Sequence, residues 1–265
     1  MRRGDKRMKL FKPRFNQRQD TPDSALKPNP VRHYPACNCL QPQGEEQENE
    51  GERHWRELSF HTEKQDTNSE AWNALQHYIQ NAVAEGADEL NPLNSIGWEN
   101  WEQIRTLPRT IGKLHSVRFL SLYGSHLVRI PPEIGDMANL EEFDPYTSYC
   151  LHWFPYEITR CQKLKRSRVS TRALYGNFKH RPPFPRLPSL SSELTPTCCS
   201  ICRGPFTSVG PLQAWISLLV ATDVLPLLVH ACSTECLRML PKPAQGYVET
   251  AHQGGLGIKQ PPPLW

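Results

Sequence analysis

Three stretches of the chain, IRTLPRTIGKLHSV, LVRIPPEIGDMANL and HWFPYEITRCQKL, repeat one pattern, and that repetition limits the available folds more than any other feature. The apolar residue before each proline, Leu107, Ile130 and Phe154, recurs after 23 and then 24 residues. A period of this length belongs to stacked units, each too small to bury its own apolar face, so a solenoid is expected. Such an array predicts a binding surface rather than a catalytic pocket.

A true stack must be in register at several columns together. Leu114, Met137 and Cys161 share one column, Val117, Leu140 and Leu164 a second, Leu120, Phe143 and Ser167 a third, and Leu122, Pro145 and Val169 a fourth. Ser167 and Pro145 are poor core residues, so the register is strong in the first full unit and decays after it. Residues 117–131 fit L-x-x-L-x-L-x-x-N-x-L-x-x-I-P through Val117, Leu120, Leu122, Leu127, Ile130 and Pro131, with Ser125 in the asparagine's place. On these residues the chain resembles leucine-rich repeat proteins of the 23-residue class, whose convex side reads IPPEIGxLxxL. The resemblance covers roughly residues 90–178. It implies a short parallel strand from each L-x-L part and a looser helical or turn segment outside.

The departures carry their own expectations. Ser125 and Ser148 stand where asparagine would bridge neighbouring turns, so the internal ladder should be weaker, by about 1 kcal/mol for each buried hydrogen bond lost. Pro145 has no N–H and falls inside the second strand, which should be shortened or bulged. Upstream, residues 69–86 place Trp72, Leu75, Ile79 and Val83 on one helix face between a capping Ser69 and a stopping Gly86. That helix should cover the open end of the array, where an uncapped stack exposes apolar side chains and unpaired backbone.

Only 38% of residues are hydrophobic and 25 are prolines, which argues for small parts joined by unstructured chain rather than one large core. Eight basic residues in positions 1–18 and the acidic run EEQENEGE read as a disordered charged arm over 1–66. The repeat domain with its capping helix occupies 67–178, a Pro/Ser-rich linker 179–197, a zinc-binding module 198–248 and a disordered tail 249–265. No secretory leader and no membrane span are visible, and nine cysteines at metal-type spacing favour a reducing, cytoplasmic setting.

The second constellation is CCSICRGPF followed, after an apolar stretch, by HACSTECLRML. Cys199 and Cys202 lie two residues apart and Cys232 and Cys236 three, spacings that suit four thiolates around a structural zinc ion. LQAWISLLV and VLPLLVHA flank ATD as two strands about a turn, and STECLRML reads as a helix begun by Ser233. A knuckle, a hairpin and cysteines at a helix start resemble a treble-clef zinc finger. His230 could replace one ligand and Cys198 could compete with Cys199. Cys37 and Cys39 read as uncommitted thiols of the arm, and Cys150 and Cys161 as small apolar fillers.

The fold class expected is therefore α/β: a short leucine-rich repeat solenoid of parallel strands plus a small zinc-stapled hairpin and helix. No G-x-S-x-G elbow, H-E-x-x-H motif or phosphate-binding loop is present, so no enzyme is expected. The function expected is recognition of a protein partner by the inner face, on the columns Phe119, Glu142, Arg166; Ser121, Asp144, Arg168; and Tyr123, Tyr146, Ser170. Tyrosine and arginine supply interface hot spots, although Glu142 with Arg166 and Asp144 with Arg168 could simply satisfy one another. One alternative is a nucleic-acid-associated zinc protein gripping phosphate with its basic arm, against which stand a net charge of +4 and a single basic residue, Arg203, across 203–229. A second is a ubiquitin-ligase-like effector using Cys198 or Cys232, for which fewer than 90 residues follow the repeats.

Overall fold

The computed structural model describes residues 37–40, 55–187 and 195–263. Helix α1 (Glu70–Glu85) starts where Ser69 accepts a hydrogen bond from the Trp72 N–H at 3.2 Å, and ends at Gly86 in the left-handed region, φ 65°. Ala71, Trp72, Leu75, Ile79 and Ala82 form its buried face. Val83, expected on that face, is 37% exposed; Ala82, three residues beyond Ile79, takes its place against the core.

After α1 come β1 (Glu89–Leu90), α2 (Pro92–Ile96), α3 (Trp98–Trp101), β2 (Phe119–Ser121), β3 (Glu142–Asp144), β4 (Phe154–Pro155) and β5 (Arg166–Ser167). Strands β1, β2, β3 and β5 build a parallel sheet in that order, with Phe119 opposite Glu142 and Glu142 opposite Arg166. Between strands run 3₁₀ turns at Arg109–Lys113, Pro132–Asp136 and Tyr156–Arg160. Each begins directly after a proline, Pro108, Pro131 or Pro155, held extended at ψ 142–152°. The repeated proline therefore ends one segment and launches the next.

The glycine of the repeated IG pair has a steric reason. A Cβ on Gly135 would stand 2.5 Å from the Glu157 carbonyl oxygen, so neighbouring coils meet there backbone to side-chain-free backbone. Inside, Leu114, Met137 and Cys161 and then Leu120 with Phe143 are buried in the expected columns. Burial pushes the Cys161 thiol up to about 12, as fits an apolar filler.

Pro145 lies just past the end of β3. Phe143 accepts from the Arg168 N–H, so by strand alternation residue 145 also faces β5, and there pairing is limited to two residue pairs against three on the β2 side. The serines form a ladder of their own: Ser148 Oγ takes hydrogen bonds from the Ser125 N–H and Oγ and donates to the Leu122 carbonyl, at 2.7–3.2 Å. Thr147 continues it by donating its N–H to Ser170 Oγ. Ser148→Ala should strand the buried Ser125 donors and lower stability by about 1–3 kcal/mol. Urea denaturation measures this, and an unchanged midpoint would show that the ladder contributes nothing.

A hairpin of β6 (Leu212–Val220) and β7 (Asp223–Ala231) precedes α4 (Thr234–Arg238). It differs from the expected separate module in one respect: β7 pairs in parallel with β4, matching Phe154 with Leu227. Ile216, Leu218, Val220, Leu225, Leu227 and Val229 belong to the same apolar core as the repeat leucines. The hairpin tip closes the last coil, Thr222 Oγ1 donating to the Ser167 carbonyl at 2.8 Å and Ser167 Oγ donating to Asp223 and to the Val220 carbonyl. Ser167, a poor core residue by sequence, is a bonding point for this cap.

The expected disorder of arm and tail also needs correction within the described residues. Leu58 is buried, and Phe60 stacks on Trp215 with ring centroids 5.5 Å apart. At the other end His252 bridges Trp215 through backbone hydrogen bonds in both directions. Part of the linker packs as well, with Phe184 fully buried and the Leu187 N–H bonded to the Gln253 carbonyl. Residues 1–36, 41–54, 188–194 and 264–265, which hold the basic run, the acidic run and the centre of the linker, lie outside the described residues.

Candidate interaction face and metal centres

The predicted inner-face residues that lie on the strands are in register, because parallel pairing sets equivalent positions of the 23- and 24-residue coils side by side. Phe119, Glu142 and Arg166 are paired neighbours, as are Ser121 and Asp144. Tyr123 and Tyr146 lie with ring centroids 6.3 Å apart, and the Arg168 guanidinium sits 5.0 Å from the Tyr146 ring and 5.8 Å from the Tyr123 ring. Asp144 holds Arg168 in that position with two hydrogen bonds, of 3.0 and 2.7 Å. The bidentate carboxylate raises the Arg168 pKa further and pins a charged arm over two aromatic rings. Arg166 pairs with Glu142 through a single nitrogen–oxygen contact. Ser121 departs from the expectation, being only 6% exposed and unable to offer a partner much surface. Ser170 is buried too, committed to the serine ladder.

At the other end of the fold the four expected cysteines converge. The sulfurs of Cys199, Cys202, Cys232 and Cys236 all lie within 4.8 Å of one another, and none is in a disulfide. Local structure explains why. Cys199 and Cys202 flank a tight knuckle in which the Ile201 N–H points at Cys199 Sγ and the Gly204 N–H at Cys202 Sγ, at 3.4 and 3.3 Å. Arg203 takes a left-handed φ of 61° to make that turn. Cys236 sits in the first turn of α4, its N–H capped by Ser233.

Burial raises the Cys199 thiol, but the backbone donors of Cys202, Ile201 and Cys232 outweigh it and leave it lowered to about 7. Hydrogen bonding with Cys202 and then Cys236 pushes Cys232 up to about 12. The crowded thiols thus divide one charge between them, Cys199 favouring the thiolate and Cys232 the thiol. These four donors can hold a metal ion in a closed, all-sulfur set. His230 is elsewhere, its Nε2 3.2 Å from the Gln213 amide, and Cys198 stays outside the cluster.

The knuckle is bolted to the repeat. Arg160 donates to the Ser200 carbonyl at 3.0 Å, and Ser200 Oγ donates to buried Glu157 at 2.7 Å. Burial raises the Glu157 pKa, since one carboxylate oxygen has no hydrogen-bond partner.

A second donor group escaped the sequence reading. Cys37 and Cys39 gather with His61 and His152, so these cysteines are not uncommitted thiols of a loose arm. Cys150 is half-buried rather than filling the core. The Cys-x-Cys spacing was the available signal. What hid the site is that His152 comes from 113 residues further along, within the repeat.

No protein-family model matches the chain, and no curated protein matches it. Among solved structures it is similar to a leucine-rich repeat protein of Leptospira interrogans, at 21% identity and a TM-score of 0.23, over 38% of each chain. The match spans little more than a third of that protein. No helix among the described residues is long and apolar enough to cross a membrane.

Proposed function

We propose that the protein is a non-catalytic recognition module: a short leucine-rich repeat solenoid that binds a protein partner through the exposed face of its parallel sheet, with a structural zinc ion on Cys199, Cys202, Cys232 and Cys236. The observation that carries the reading is the Tyr123, Tyr146 and Arg168 cluster. Two aromatic rings and a guanidinium held over them by Asp144 form a pre-ordered, half-exposed patch of the residue types that dominate interfaces. Tyr146 is 42% exposed, a large aromatic surface left uncovered beside Tyr123. The unit length, the proline-launched outer turns and the in-register columns support the repeat class. Four thiols without an open coordination position support a structural ion rather than a reactive one.

Replacing Tyr123, Tyr146 and Arg168 together with alanine should abolish capture of a specific partner from lysate while the circular dichroism spectrum stays that of the parent. An unchanged set of captured proteins would count against this face.

A further inference from the structure

We propose that Cys37, Cys39, His61 and His152 form a second, independent tetrahedral transition-metal site, for which zinc is the ion their donor chemistry selects. All four donor atoms lie within 4.8 Å of one another. His152 Nε2 stands 3.2 Å from Cys37 Sγ and 2.9 Å from Cys39 Sγ, while His61 Nε2 stands 3.4 and 3.6 Å from the same sulfurs. Four ligands around one zinc ion, at about 2.0 Å for nitrogen and 2.3 Å for sulfur, sit roughly 3.3–3.8 Å apart. The nitrogen–sulfur separations need up to about 0.6 Å of outward relaxation, and the Cys37 and Cys39 sulfurs, 2.9 Å apart, about 0.9 Å.

The orientation of the two imidazoles decides between a metal and a chance cluster. His61 donates Nδ1–H to Glu63 at 2.9 Å, and His152 donates Nδ1–H to the Ala173 carbonyl. With Nδ1 carrying the proton, each ring turns the Nε2 lone pair inward, and the two Nε2 atoms are 3.1 Å apart. Facing lone pairs at that distance repel unless a metal ion or a shared proton lies between them. A carboxylate and a backbone carbonyl on the far nitrogens are also the outer partners that fix metal-bound histidines. Two thiolates and two imidazoles are a borderline-soft set that favours zinc over magnesium or calcium.

The site has a mechanical role in the fold. Cys37 and Cys39 belong to an N-terminal segment, His61 precedes α1, and His152 leads into β4. A metal there would pin the N-terminal segment onto the repeat at the point where the repeat meets the hairpin. It lies beside Tyr175, whose ring is 5.2 Å from that of His152.

The test uses the full chain, expressed with zinc and purified under reducing conditions without chelator. X-ray absorption at the zinc edge should report about three sulfur and one nitrogen neighbours per ion, the average of an all-sulfur site and a mixed one. Cys37→Ser with Cys39→Ser should remove about half of the zinc and the nitrogen contribution. If the C-terminal site takes no metal, about one ion per chain with equal sulfur and nitrogen still supports this proposal while overturning the other. An all-sulfur spectrum in the unmutated protein, or zinc content unmoved by the Cys37 and Cys39 substitutions, would overturn it. The absorption measurement needs no variant to fold.

Discussion

Removing the zinc ion proposed for the C-terminal cysteines should melt the repeat as well as the hairpin. In Cys202→Ser with Cys236→Ser a single cooperative loss of structure is expected. The reasoning is a comparison of magnitudes. Structural zinc sites contribute apparent binding free energies of about 10–16 kcal/mol, whereas whole domains are stable by about 5–15 kcal/mol. That would remain a local matter if the hairpin were a separate unit, but Ile216, Leu225, Leu227 and Val229 share one core with Leu120 and Phe143. The hairpin also bonds the exposed end of the last coil through Ser167. Hydrogen exchange read at β2, β3 and α1 decides the matter. Protection lost there together with the hairpin supports the coupling, and protection retained there while β6 and β7 exchange freely would refute it.

Trp215→Ala should be the most damaging single substitution in the core. Trp215 is fully buried, with Phe60, Trp153, Tyr175 and Phe184 packed around it at centroid distances of 5.5–6.0 Å. Its indole N–H donates to the Pro185 carbonyl at 2.8 Å. Truncation costs about 3–5 kcal/mol for the cavity, and the abandoned carbonyl adds about 1–3 kcal/mol. The sum rivals the stability of a domain. Because those rings come from segments around residues 60, 153, 175, 184 and 215, the variant should also loosen residues 55–60 and 182–187. Urea denaturation and site-resolved exchange measure both effects. A loss below about 2 kcal/mol would mean that this aromatic cluster is peripheral.

What could be read from the sequence was whatever local spacing encodes. The repeat columns, Ser69 and Gly86 as caps of α1, the hairpin with its turn at 221–222 and the four C-terminal cysteines all follow from residues within one or two turns or strands of each other. What stayed hidden depends on pairing across long separations. Phe154 next to Leu227 joins two segments that sequence treats as separate modules, and nothing in either strand announces the other. Low hydropathy around Leu58 and Phe60 conceals a packed segment, since two apolar residues suffice when their partners are Trp153 and Trp215. His152 reads as one more polar residue of a loop until Cys37, Cys39 and His61 arrive beside it. Ser148 shows a subtler limit: the missing asparagine predicted weakness, while a ladder of serines restores the bonds by another route.

The four-stranded parallel sheet has a geometric consequence. Its neighbouring strands are spaced about 4.8 Å apart, so the face measures roughly 15 Å from β1 to β5. α1 packs into the same core as the strands, and the tip of the β6–β7 hairpin bonds the β5 edge through Ser167. A helix with its side chains is about 10–12 Å across, so one helix or one extended peptide fills the available width. A ligand of this protein would accordingly offer a slender protruding element, and broad encirclement of a globular surface, the habit of long arrays, is outside its reach.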